Sequence, residues 1–96
     1  MIRVSANIKL YKKRKTPFTN GYRPLFNFID GMKVSGQITL NDRQKFFPGD
    51  QGVVEIDFLS DEYLGDDLGV GKKFTFGEGL GDLGEGEVRA IILREV

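Results

Sequence analysis

Ile2, Val4, Ala6, Ile8 and Leu10 alternate with Arg3, Ser5, Asn7, Lys9 and Tyr11. A period of two places the apolar set on one face of an extended chain, so this run reads as a half-buried β-strand. The rest of the chain repeats the theme in shorter pieces. Phe26 and Phe28 open a second strand over about Leu25–Ile29, closed by the turn dipeptide Asp30-Gly31. A third strand, about Met32–Leu40, puts Val34, Ile38 and Leu40 on one face, with Gly36 marking a bulge or a close approach. Lys45-Phe46-Phe47 is a short extended piece ended by the Pro48-Gly49-Asp50 turn. A fourth long strand, about Gly52–Leu59, sets Val54, Ile56 and Phe58 against Val53, Glu55 and Asp57. Ser60–Gly71 reads as an acidic, glycine-rich loop with room for one helical turn around Asp61–Leu64. Lys72–Phe76 is a short strand, and Gly77–Gly86, with five glycines, must turn sharply or bulge. The last strand, Glu87–Arg94, sets Val88, Ala90 and Ile92 on one face and Ile91 and Leu93 on the other. About six strands with no helical periodicity predict an all-β sandwich or barrel. Closure into a barrel removes exposed edges and is the preferred form.

The connection between the first two strands is unusual. Thr16–Phe28 holds four aromatic residues in thirteen positions, with Pro17, Asn20, Gly21 and Pro24 as punctuation. Such a segment suits a rigid loop packed over one end of a β-structure. The basic run Lys12-Lys13-Arg14-Lys15 leads into it, with Tyr11, Phe18, Tyr22 and Arg23 nearby. Basic residues interleaved with aromatics can hold a phosphate backbone. An exposed loop with ordinary solvating lysines is the other reading of the same residues.

Composition narrows the chemistry. Ninety-six residues make one domain, 1–96, large enough to fold around its own core. With no cysteine and no histidine, disulfides, thiolate metal sites and histidine-based triads are excluded. Formal net charge is zero, yet seven Lys or Arg and no acid precede Asp30. From Asp50 to Glu87 there are eleven acids against Lys72 and Lys73 alone. That segregation either steers a charged partner or solvates opposite edges of a sheet. No apolar run approaches the length of a membrane span and no signal peptide is visible, so a cytoplasmic location is expected.

Two motifs fail on physical grounds. Gly79-Leu80-Gly81-Asp82-Leu83-Gly84 fits G-x-G-x-x-G by letter. The dinucleotide motif needs a helix after the turn to hold the pyrophosphate, whereas Glu85–Leu93 alternates as a strand, and Asp82 and Glu85 repel phosphate. There is no G-x-x-x-x-G-K-[ST] phosphate loop, so no nucleotide is expected to bind. Asp61-Glu62 and Asp66-Asp67 lack the spacing of a calcium loop and read as a solvated acidic loop. No residue set suggests catalysis, and no cofactor is expected.

Thr16-Pro17-Phe18, Gly21-Tyr22-Arg23-Pro24, Phe26 and Phe28 together resemble the start of the third, C-terminal domain of translation elongation factor Tu. Val34-Ser35-Gly36-Gln37-Ile38-Thr39-Leu40 is similar to that domain's next strand, and Pro48-Gly49-Asp50 to its proline-glycine turn. Asp66-Asp67-Leu68-Gly69 through Phe74 resembles its acidic turn and following strand, with a few extra residues. Glu78-Gly79 and Leu83-Gly84-Glu85-Gly86-Glu87-Val88 resemble its glycine-rich hairpin and last strand. The likeness covers nearly the whole chain. It implies a six-stranded antiparallel Greek-key β-barrel. It also implies a non-catalytic binding module of translation-factor type that contacts the tRNA backbone, without GTPase activity of its own. The alternative is a protein-interaction domain or decoy that engages a protein partner of elongation factor Tu. Ser35 and Glu78 stand at the family's RNA-contact positions. Leu25, Gly77 and Gly81 replace the glutamine and arginines usual there. With the basic run, the expected RNA- or partner-binding set is Lys12, Lys13, Arg14, Lys15, Tyr22, Arg23, Ser35 and Glu78.

Overall fold

The computed structural model describes residues 1–95, and no helix occurs among them. Nine strands form: β1 (Ile2–Leu10), β2 (Phe18–Thr19), β3 (Leu25–Ile29), β4 (Met32–Ser35), β5 (Gln37–Thr39), β6 (Lys45–Phe46), β7 (Gln51–Phe58), β8 (Lys73–Gly77) and β9 (Asp82–Arg94). Seven of them make one antiparallel sheet in the order β4-β3-β8-β9-β1-β7-β5, curled into a half-barrel. β2 and β6 form a separate two-stranded ribbon. β1 lies near the middle, flanked by β7 and β9, and its Ile2, Val4, Ala6, Ile8 and Leu10 are all buried, as their alternation required.

The core is wholly apolar, with no buried polar or charged residue among those described. Phenylalanine dominates it. The Phe26 ring meets Phe58 edge-on at 5.2 Å and Phe74 at 5.7 Å, while Phe28 stacks on Phe74 at 4.7 Å. Each buried ring contributes about 2–3 kcal/mol by area alone, and well-oriented pairs add about 0.5–1.5 kcal/mol.

The expected third strand is divided. Met32–Ser35 pairs with β3 and Gln37–Thr39 pairs with β7, so the chain changes partners at Gly36. The close approach expected there is real: a β-carbon on Gly36 would stand 2.6 Å from the Phe58 ring and 2.9 Å from the Phe26 ring. β4 and β5, the two ends of the strand order, are therefore joined through one residue.

Three further expectations are corrected. Asp61–Leu64 is a hydrogen-bonded turn, Leu64 N–H donating to Asp61 O at 3.1 Å, and no helical turn forms. Its driving force is burial of Leu64, which plugs the core. The final strand starts at Asp82, five residues early: Gly84 lets the Phe76 ring lie against the β9 backbone, where a β-carbon would collide with it. The facing of that strand also changes. Ala6 pairs with Val88 but Ser5 with Ala90, and Val4 pairs with Ile91 but Arg3 with Leu93. Arg89 and Ile92 are thus extra residues with no partner on β1. The bulges turn Ile91 toward the core and leave Ala90 and Ile92 exposed.

Strand pairing also undoes the charge segregation. The basic first strand lies between acidic strands, with Arg3 on Asp57 at 2.6 Å and Lys9 opposite Glu85. Arg94 pairs with Asp61 and Lys72 with Asp67, each at 2.9 Å.

Candidate nucleic-acid interface

The chain leaves β1 at Leu10 and turns through the basic run. Arg14 N–H donates to Tyr11 O at 3.3 Å, and Tyr11 N–H donates to Leu83 O at 2.8 Å, so the run begins tied to β9. Gly49 N–H donates to Leu10 O at 2.8 Å, which brings the Pro48–Asp50 turn alongside. The following segment is fastened to the sheet. Gly21 N–H donates to Ile38 O at 2.9 Å, Ile38 N–H to Tyr22 O at 2.8 Å, and Leu40 N–H to Asn20 Oδ1 at 2.8 Å. These bonds clamp the loop to the sheet between Pro17 and Pro24.

Its aromatic residues form a continuous stack. Phe18 lies 4.5 Å from Tyr22 and 5.1 Å from Phe46, both stacked. An arginine covers each end: Arg14 stands 4.6 Å from the Tyr22 centroid, and Arg43 stands 4.8 Å from the Phe46 centroid. Carboxylates also hold both arginines. Glu78 takes Arg14 at 3.4 Å, and Asp42 and Asp50 take Arg43 at 3.0 and 3.7 Å. Tyr22 Oη donates to Glu78 Oε2. Burial, reinforced by that hydrogen bond, pushes the Tyr22 hydroxyl above its ordinary pKa. Burial also pushes Tyr11 up to about 12, helped by its 2.9 Å donation to Glu85.

The eight expected site residues fall into three sets. Arg14, Tyr22 and Glu78 converge in the stack, and the Arg14 side chain is only 15% exposed. Lys12, Lys13 and Lys15 are exposed on the same loop, and none forms a salt bridge among the described residues. Arg23 and Ser35 lie apart, lining a cleft of about 140 Å³ with Gln37, Asp57 and Leu59. Arg23 Nη2 donates to Gln37 Oε1 at 2.9 Å there. Sequence reasoning missed Phe46 and Arg43. Their adjacency in Arg43–Phe47 repeats the basic-aromatic signature of Arg14–Tyr22 and was the available signal. Lys33, which donates to Gly79 O at 3.2 Å across the tip of the next hairpin, carried no such signal.

The G-x-G-x-x-G letters resolve as a hairpin. Gly79 and Gly81 take φ of +110° and +90° in the turn, and strand β9 follows. Among the described residues no three acidic side chains group to hold a metal ion, and Asp61 and Asp67 each face a cation. Two larger grooves, of about 400 and 320 Å³, lie on the outer sheet face and meet at Lys73, Glu85 and Gly86. Their linings mix Lys9 and Lys73 with Asp30, Glu85 and Glu87. No protein-family model matches the chain.

Proposed function

We propose that this chain is a non-catalytic binding module of translation-factor type, resembling the third domain of elongation factor Tu, that holds the tRNA backbone. The observation that carries this is the trio Lys12, Lys13 and Lys15: exposed, without a salt bridge among the described residues, and presented on a loop clamped to the sheet. Presentation on a rigid loop lowers the ordering cost of each phosphate contact. Arg14, Tyr22 and Glu78 then serve to hold the loop, and Arg23 with Ser35 offers a second polar contact point. The barrel reading is supported by the strand order. Residues 32–39 pair with both β3 and β7 on either side of Gly36, and reading them as one bent strand gives the six strands that an antiparallel Greek-key barrel would need. Such a module works in the cytoplasm, without a cofactor or bound nucleotide, and without catalysing GTP hydrolysis itself.

The second reading is a protein-interaction domain or decoy for a partner of elongation factor Tu. One observation favours it: Leu80 is fully exposed at the hairpin tip, its neighbour Gly81 faces Lys13 Nζ, and Asp82 and Glu85 follow in sequence. An exposed leucine among mixed charges suits a protein surface better than a polyanion.

A mobility-shift titration with tRNA at two salt concentrations separates the two. Affinity is expected to fall with salt, and the slope of log affinity against log salt should lessen by about 2–3 units in a triple Lys12→Ala, Lys13→Ala, Lys15→Ala variant. Absence of binding at low salt removes the RNA reading and leaves Leu80→Asp, tested against elongation-factor partners, as the decisive variant.

A further inference from the structure

β9 is longer than the strand beside it. β8 pairs with it only as far as Lys73 opposite Glu87, and Gly71 and Lys72 then bond Val88 through N–H···O contacts of 2.8 Å. Beyond Val88 no described strand pairs with β9 on that side. The 60–71 connection is bonded to this stretch at its ends, at Val88 and through the Asp61–Arg94 ion pair. The open segment is Arg89-Ala90-Ile91-Ile92-Leu93-Arg94-Glu95. It contains neither Gly nor Pro, and Ile92 and Leu93 are 49% and 36% exposed. An unpaired, apolar strand edge of this kind invites another strand.

We propose that this edge pairs with the same edge of a second copy of the chain, antiparallel about a two-fold axis at Ile92. This surface is separate from the basic loop and does not rest on the RNA reading. Charge selects the occupant and the register. Arg89 and Glu95 are exposed, and neither has an ion-pair partner among the described residues. With Ile92 opposite its own copy, Arg89 of each chain falls opposite Glu95 of the other, and Ile91 falls opposite Leu93. Two complementary pairs then flank an apolar centre, as a two-fold interface requires. A one-residue shift in one direction sets Arg89 opposite Arg94, like against like, and in the other sets Ala90 opposite Glu95 and Ile91 opposite Arg94, which forfeits both complementary pairs. Bulge residues Arg89 and Ile92, unpaired on β1, sit at the flank and centre of the new pairing. The basic loop adjoins the other end of β9, roughly 25 Å from Ile92 at the ordinary strand rise, so pairing leaves both loops accessible.

Sedimentation equilibrium of the full chain over a wide concentration range tests this. A monomer–dimer equilibrium is expected. Arg89→Glu and Glu95→Arg should each weaken it about tenfold, because two attractive pairs become repulsive. The double charge swap should restore it to within about threefold. Ile92→Lys, which places two ammonium groups on the axis, should leave a folded monomer with an unchanged circular dichroism spectrum. A monomer at every concentration would show that the bulges already blunt this edge, and would overturn the proposal. So would a dimer indifferent to Ile92→Lys, or a charge swap no better than its single variants.

Discussion

Arg14 stands in a basic run but touches an aromatic ring at 4.6 Å and a carboxylate at 3.4 Å. A guanidinium can lie flat on a ring while its edge meets an oxygen, which an ammonium cannot do. Arg14→Ala should therefore lower stability by about 1–2 kcal/mol in urea unfolding, and Arg14→Lys should recover little of it. The neighbouring lysines should behave differently. Lys12→Ala, Lys13→Ala and Lys15→Ala should change stability by no more than about 0.5 kcal/mol each, because the lysines make no ion pair among the described residues and stand exposed. Four adjacent cations thus divide into one structural residue and three available ones. Their shared charge was plain in the sequence. The division depended on Tyr22 and Glu78 arriving from 8 and 64 positions away (22 − 14 and 78 − 14).

At the scale of elements, the turning point is the change of strand partner at Gly36. β4 and β5 meet at Gly36, where the Phe26 and Phe58 rings occupy the space a side chain would need. Gly36→Ala should destabilise by about 1–3 kcal/mol through overpacking, read as a lower urea midpoint with an unchanged slope. A larger denaturant slope change would instead indicate that the sheet had opened. The alternation in residues 2–10 and 51–58 told which face is buried, since period two allows one answer. The same logic failed in β9. The extra residue Arg89 reverses the facing after Val88 and the extra residue Ile92 restores it, and a bulge is set by the partner strand, which local pattern does not contain.

For the whole molecule, the titratable groups mark out a stability plateau. Arg43 and Lys72 hydrogen-bond to Asp42 and Asp67 and hold those carboxyls below their usual range. A depressed acid stabilises the fold above its ordinary value of about 4, and that contribution is lost as pH falls through the lower folded value. Tyr11 and Tyr22 are raised, so they stabilise the fold below about 10 and lose that contribution as pH climbs toward their folded values. Thermal unfolding should then be nearly flat from about pH 5 to about 9, since no histidine titrates between. Tyr11→Phe should soften the alkaline limb, and Asp67→Asn the acid limb. A steep change near neutrality would contradict these assignments.

The sequence by itself determined the class of fold, most strand positions, the buried face of β1 and β7, and the absence of histidine and cysteine chemistry. These follow from period, turn residues and composition, all of which act over a few residues of chain. Only the tertiary structure decided which charges stay free, where β9 bulges, which edge lies open, and that Phe18, Tyr22 and Phe46 form one stack between two arginines. Those features join residues tens of positions apart. Their energies depend on distance in space, which a one-dimensional pattern does not carry.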